Sequence, residues 1–221
     1  YDANNNNISA LYQLWNGGEW VNNQLHSYSY NANNDETIAV FQVWNGKWDN
    51  IQRFLYTYNS GSQKIVTLNE DWNGNDWGNV SKDSVAYSLS SNEISDLHQI
   101  WVASKWQNVS MDLYRYNQAK NVITALGQSW KGSWINDFKD IYTYDNNNNL
   151  VSVVSQDYNG TSLIKSELEL YSYNPSNMMV SIIHKYYDTS GTKVIDGDNS
   201  HYYIMDELSG YNYKVQKIAN R

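Results

Sequence analysis

Five tryptophans, Trp15, Trp44, Trp72, Trp101 and Trp130, recur along the chain in steps of 28 or 29 residues. Four of them have a glutamine two positions earlier, at Gln13, Gln42, Gln99 and Gln128. In a strand, alternate side chains share a face, so each glutamine would lie beside its tryptophan. Flat aromatic faces next to amide groups are what a sugar ring or a protein hot spot requires. Equivalent rings two strands apart would be spaced roughly 9.6 Å, given a strand spacing near 4.8 Å, close to the repeat of an extended disaccharide. Alternatively the rings only pack the sheet as cross-strand aromatic pairs. The residue types allow either.

Acids recur as well. Asp112, Asp140 and Glu169 each stand two residues before a Tyr-x-Tyr pair, with Asp83 in the same place. Two carboxylates roughly 6.5–9.5 Å apart are the geometry of an inverting glycosidase, and Asp112 and Asp140 are the pair to consider. A catalytic pair should be unique, whereas these acids repeat in register, so they are expected to line a solvated face and no catalytic residue is nominated. Asn- and Asp-rich segments such as Asp145, Asn147 and Asn149 invite calcium, but they lack the several carboxylates and the late bidentate Glu of such sites. Turn chemistry is the expectation there. His26, His98, His184 and His201 share no local spacing; His98 and His184 hold the same repeat position three units apart, too far for one shared metal in an open sheet. No Gly-rich phosphate loop or local triad signature occurs. Neither metal nor cofactor is expected.

Composition narrows the partners. The 221 residues carry a net charge of -8 with no basic run, which disfavours nucleic acid. No apolar stretch approaches a membrane span, and no signal peptide is visible. Cysteine is absent, so disulfides and thiol chemistry are excluded. Mean hydropathy is negative, which argues against a thick aliphatic core. Tyr 20 and Trp 10 against Phe 3 suit half-buried sheet faces, where one end of each ring stays wet.

These residues are positioned by a repeat. Tyrosines at Tyr1, Tyr30, Tyr58, Tyr87, Tyr116, Tyr144 and Tyr173 keep the same 28- or 29-residue step as the tryptophan series, which continues through Tyr158 and Tyr187. One unit reads Tyr28-Ser29-Tyr30-Asn31, an Asn-rich tip, then Gln42-Val43-Trp44-Asn45-Gly46-Lys47-Trp48-Asp49-Asn50. Asn-Gly between alternating apolar residues signals a hairpin in which both turn residues accept positive φ. The Asn tip is a second turn. Each unit of about 29 residues thus supplies two strands of roughly ten, longer than the usual five or six, in an antiparallel up-and-down meander. Period-two alternation excludes helices. One repeat domain over 1–221 is expected, with units starting near 1, 30, 58, 87, 116, 144 and 173. An atypical cap follows residue 202, and a final strand is expected around Tyr211-Asn212-Tyr213.

The tip Tyr144-Asp145-Asn146-Asn147-Asn148-Asn149-Leu150, with Tyr1-Asp2-Ala3-Asn4, resembles the Tyr-Asp repeat of the RHS/YD family, which forms long spiralling β-sheet shells; the family's tip glycine is missing here. The whole unit, with its Trp-Asn-Gly-x-Trp arm, is similar to Tyr- and Trp-rich repeats of large secreted Bacteroidota proteins, often exported by the type IX system. That resemblance implies a secreted or cell-surface location and no activity. No sorting domain is recognisable after Tyr213, so the expectation is a piece of a longer chain or a larger complex. Asp83-Ser84-Val85 matches the tripeptide used for O-glycosylation in Bacteroidota and makes Ser84 a glycosylation candidate. Asn79-Val80-Ser81 and Asn108-Val109-Ser110 read as N-glycosylation sequons.

The expected fold is all-β: tandem antiparallel hairpins in one long curled or coiled sheet, with a closed up-and-down barrel as the alternative. The expected function is a non-enzymatic extracellular scaffold or adhesin-like module that binds a partner protein or a glycan through an aromatic face. The alternative is a carbohydrate-binding module or another component of a carbohydrate-active enzyme.

Overall fold

A computed structural model describes residues 1–202 and 215–218. The first strands are β1 (Ser9–Trp15), β2 (Trp20–Tyr30), β3 (Glu36–Trp44), β4 (Trp48–Tyr58) and β5 (Lys64–Trp72). Then come β6 (Trp77–Tyr87), β7 (Glu93–Val102), β8 (Lys105–Tyr116), β9 (Val122–Trp130) and β10 (Trp134–Tyr144). The last are β11 (Leu150–Tyr158), β12 (Leu163–Tyr173), β13 (Met179–Tyr187), β14 (Val194–Tyr202) and β15 (Val215–Ile218). All fifteen lie in one sheet, in chain order from β1 to β15. The order is linear and the end strands are not neighbours, so the sheet is not a closed barrel. No helix occurs among the described residues. The final strand is present as β15, antiparallel to β14, whereas Tyr211-Asn212-Tyr213 lie outside the described residues. Contacts group the chain into two units, Tyr1–Tyr87 with Asp96–Ser110, and Ser88–Ser95 with Met111–Arg221. The same hairpin builds both.

Each hairpin is closed by side chains that mimic the backbone. At the Asn/Asp tips, the leading Asx accepts main-chain N–H groups with its own Oδ1: Asp2 from Asn4 and Asn6, Asn31 from Asn33 and Asp35, Asp145 from Asn147 and Asn149. Three residues on, Asn5, Asn34, Ser62, Ser91, Lys120, Asn148 and Asn177 adopt φ of 58° to 66°. The tip carboxylates of Asp2 and Asp145 are held below the usual range by hydrogen bonds from Asn6 and Asn149 respectively. Turn chemistry therefore occupies them.

At the opposite turns the Asn-Gly expectation is corrected. The loops span three or four residues rather than two, as in Trp44 opposite Trp48 and Trp15 opposite Trp20. Only the glycine takes positive φ, for example Gly46 at 75°, while Asn16 Oδ1 accepts from Gly18 and Glu19. The two-residue loop with both φ positive occurs where Asn-Gly is absent, at Ala103 (50°) and Ser104 (62°) between β7 and β8.

A one-residue bulge interrupts the tryptophan hairpins β1–β2, β3–β4, β5–β6 and β9–β10 just beyond the glutamine position. Gln42 faces Asn50 but Phe41 faces Gln52, leaving Ile51 out of register. The same shift occurs at Tyr12/Gln13, Asn69/Glu70 and Ser155/Gln156. A bulge reverses the alternation of the strand that carries it. Trp48 and Asn50 therefore share one face, and Phe54 and Tyr56 share the other. The tryptophans and the paired tyrosines end on opposite sides of the sheet.

On the tyrosine face, large and small residues alternate across strands. Tyr28 stands opposite Ala39, Tyr56 opposite Thr67 and Tyr142 opposite Val153, while Tyr171 meets the larger Ile182. Ala39, Ala125 and Val153 are the buried apolar residues among those described, and no side chain is fully buried. In a sheet with so little core, the tyrosine that ends β2, β4, β6, β10 and β12 supplies a tie. Tyr30 donates to the Asn7 carbonyl (3.0 Å), Tyr58 to Glu36 (2.7 Å), Tyr87 to Lys64 (3.2 Å), Tyr144 to Val122 (2.9 Å) and Tyr173 to Leu150 (2.9 Å).

Two outcomes follow from this geometry. Ala103→Asn with Ser104→Gly should raise stability in urea unfolding by ~1–2 kcal/mol, because a left-handed conformation costs other L-residues about that much; a loss would show that the native turn is unstrained. Burial raises the hydroxyl pKa of Tyr28, Tyr30, Tyr56, Tyr58, Tyr142 and Tyr144 above 10.0. The unfolded chain releases these protons first, so their contribution is complete below pH ~10 and is lost as pH climbs through the raised values. The melting temperature should fall above that pH, less steeply in Tyr56→Phe. A flat profile would contradict it.

Candidate functional site

All ten tryptophans close hairpins in cross-strand pairs. Trp15 meets Trp20 with centroids 5.5 Å apart, Trp44 meets Trp48 at 5.0 Å, and Trp72 meets Trp77 at 5.1 Å. Trp101 meets Trp106 at 5.0 Å and Trp130 meets Trp134 at 5.1 Å. Interplanar angles of 62° to 71° make every pair edge-to-face, which sets the positive edge of one ring against the negative face of the other. Sequence reasoning singled out the first member of each pair and missed Trp20, Trp48, Trp77, Trp106 and Trp134. The recurring Trp-x-Asn that follows each turn was the available signal.

The four nominated glutamines share one role. Nε2 of Gln13, Gln42, Gln99 and Gln128 donates across the hairpin to Oδ1 of Asn22 (3.0 Å), Asn50 (2.9 Å), Asn108 (2.8 Å) and Asn136 (2.7 Å). In the third hairpin Glu70 takes the glutamine position, only 8% exposed, and Arg53 Nε reaches its Oε2 at 2.5 Å. The Arg53 guanidinium lies 4.7 Å from the Trp77 ring, and Lys82 Nζ lies 4.8 Å from Trp106. Cations therefore already occupy part of these two rings. The exposed tryptophans are Trp15 (54%), Trp20 (63%), Trp44 (38%) and Trp130 (40%); Trp72 and Trp101 are half-buried. The ladder thus both packs the hairpins and keeps ring surface accessible.

Ser84 is half-buried in mid-strand opposite Val66. Of the sequon asparagines, Asn79 faces Glu70 and Asn108 is the acceptor of Gln99. The recurring acids are half-buried on the tyrosine face rather than solvated. Burial pushes the Asp112 carboxyl up. Asp140 accepts from Tyr142 at 3.4 Å, Glu169 from Tyr171 at 2.5 Å, and Asp83 meets His98 Nδ1 at 2.6 Å. Among the described residues, Glu167, Glu169 and His184 are the one group of three metal-capable side chains within mutual reach.

No family model matches the chain, and no curated protein matches it. Among solved structures it is similar to a protein of unknown function from Bacteroides fragilis NCTC 9343, at 15% identity and a TM-score of 0.44, over 53% of this chain and 91% of that one. It is similar to TcdB2-TccC3 at 11% identity and a TM-score of 0.38, over 89% of this chain but 13% of that one. A DUF3836 family protein from Bacteroides vulgatus ATCC 8482 is similar at 13% identity and a TM-score of 0.28, over 47% of this chain and 98% of that one. At these scores the fold rests on this chain's own strands.

The tryptophan pairing can be measured directly. A double-mutant cycle of Trp72→Ala and Trp77→Ala should return a coupling of ~0.5–1.5 kcal/mol, the worth of an edge-to-face pair beyond its burial. Additive effects would mean that the rings merely sit side by side.

Proposed function

We propose that this chain is a non-enzymatic extracellular scaffold or adhesin-like repeat module that binds a partner protein or a glycan through its tryptophan face. The observation that carries the proposal is the row of five edge-to-face tryptophan pairs, several of them still exposed, flanked by Gln–Asn amide pairs. The hairpin pre-orders these rings, so a ligand would not have to immobilise them on binding, which lowers the cost of association. Repetition suits an extended partner that engages successive hairpins, where each weak contact adds to the last. The extracellular assignment follows the resemblance of the repeat unit to Bacteroidota surface proteins.

The first hairpin offers the most open rings, and Trp20 together with Trp44 of the second provides the test. On a glycan array and in titrations with any ligand it returns, Trp20→Ala and Trp44→Ala should each weaken binding by ~1–3 kcal/mol, with base–aromatic stacking as the nearest guide. Near-native melting curves would separate lost binding from lost packing. Retention of full affinity in both variants would move the binding surface to the tyrosine face, around Tyr56, Tyr58, Tyr114 and Tyr116.

A further inference from the structure

We propose that Glu167, Glu169 and His184 form a binding site for one divalent transition-metal ion of the zinc type, on the face opposite the tryptophans. The register brings the three together. Glu169 on β12 stands directly opposite His184 on β13, and Glu167 lies two residues from Glu169 on the same face. Their ligand atoms all fall within 4.8 Å of one another. His184 Nδ1 is 3.2 Å from Glu169 Oε1 and 3.6 Å from Glu167 Oε1. Two ligands held about 2.05 Å from a tetrahedral zinc stand roughly 3.3 Å apart, so both separations match edges of such a tetrahedron.

The histidine nitrogen supports this assignment. His184 Nδ1 has almost no solvent-accessible surface and makes no hydrogen bond, although two carboxylate oxygens lie beside it. A nitrogen buried between two carboxylates is costly unless a proton or a metal ion stands between them. The molecule contains its own comparison one half-array earlier. Asp83 and His98 occupy the repeat positions of Glu169 and His184, with Ser81 where Glu167 stands. There the histidine makes an ordinary 2.6 Å contact with its single carboxylate, and both side chains are more exposed, 37% and 43% against 25% for His184. Replacing the Ser81 position by a second glutamate turns an ion pair into a three-point donor set.

The surroundings orient that set. Tyr171 donates its hydroxyl to Glu169 Oε2 at 2.5 Å, which leaves Oε1 turned toward His184. Such outer partners fix ligand orientation in metal sites. Asp198 stands opposite His184 on β14 but lies outside the three-residue group, so a water molecule is the ligand that can complete four-coordination. A set of one imidazole and carboxylates suits zinc, nickel or copper, whereas calcium prefers six to eight oxygens.

Calorimetric titration of the EDTA-treated, dialysed protein with zinc chloride tests the assignment, with Co2+ absorption as a second probe of tetrahedral geometry. One zinc per chain should bind. E167Q, E169Q and H184Q should each weaken binding by at least ~10-fold, while H98Q leaves it unchanged. E167Q is the decisive variant, because the earlier repeat already carries a neutral residue at that position and the sheet tolerates it. Unchanged zinc affinity in E167Q, equal loss in H98Q, preferential uptake of calcium, or no heat beyond dilution would each overturn the site. None of these readouts depends on the tryptophan face, so failure here and failure of the proposed binding function are distinguishable.

Discussion

A tyrosine hydroxyl that reaches back one repeat to a main-chain carbonyl is the contact on which the rest of the sheet depends. Side chains here bury too little to form a core; even Ala39, the most buried apolar residue, is small. Main-chain pairing joins neighbouring strands, and the bonds from Tyr30, Tyr58, Tyr87, Tyr144 and Tyr173 lock the tip end of that pairing. Each spans 22 or 23 residues, from the last residue of one strand to a carbonyl at or just before the start of the strand it follows. Smaller ties join neighbouring tips, with Asn6 donating forward to Asn34 and Ser62 donating back to Asp35.

The bulge beyond each Gln–Asn pair divides the labour between two faces. It turns the tip half of a strand over relative to the turn half, so one repeat presents indoles on one side and phenols with carboxylates on the other. A regular strand of the same sequence would mix the two sets. The one-residue offset is therefore what allows a row of apolar ring edges and a row of ionisable groups to coexist in a unit of 28 or 29 residues.

Much of this was legible from spacing. The step of 28 or 29 fixed the hairpins, period two placed Gln42 beside Trp44, and the Asn tips announced turns. Other features depend on partners that spacing does not name. Asn50 is plainly two residues after Trp48, but its service to Gln42 depends on a three-residue loop that Asn45-Gly46 alone did not imply. The acids Asp112, Asp140 and Glu169 looked like a solvated stripe because recurrence says nothing about depth. Their burial comes from tyrosines two residues on and from neighbouring strands. Along the chain His184 matches His98, whereas its informative neighbours lie across it, on β12 and β14.

Linear strand order also bears on how fast such a chain finds its structure. Ser181 and His201, 20 positions apart, are among the most widely separated of the paired residues, and Trp44 and Trp48 among the closest. Divided by chain length, such separations give a relative contact order below ~0.1, in the range of helical bundles rather than of β-sandwiches. Each hairpin closes a short loop at little entropic cost, and none of the described strands waits for a distant partner to be synthesised. Emerging in order from a ribosome, this all-β chain can fold one hairpin at a time, each new pair templated on the last.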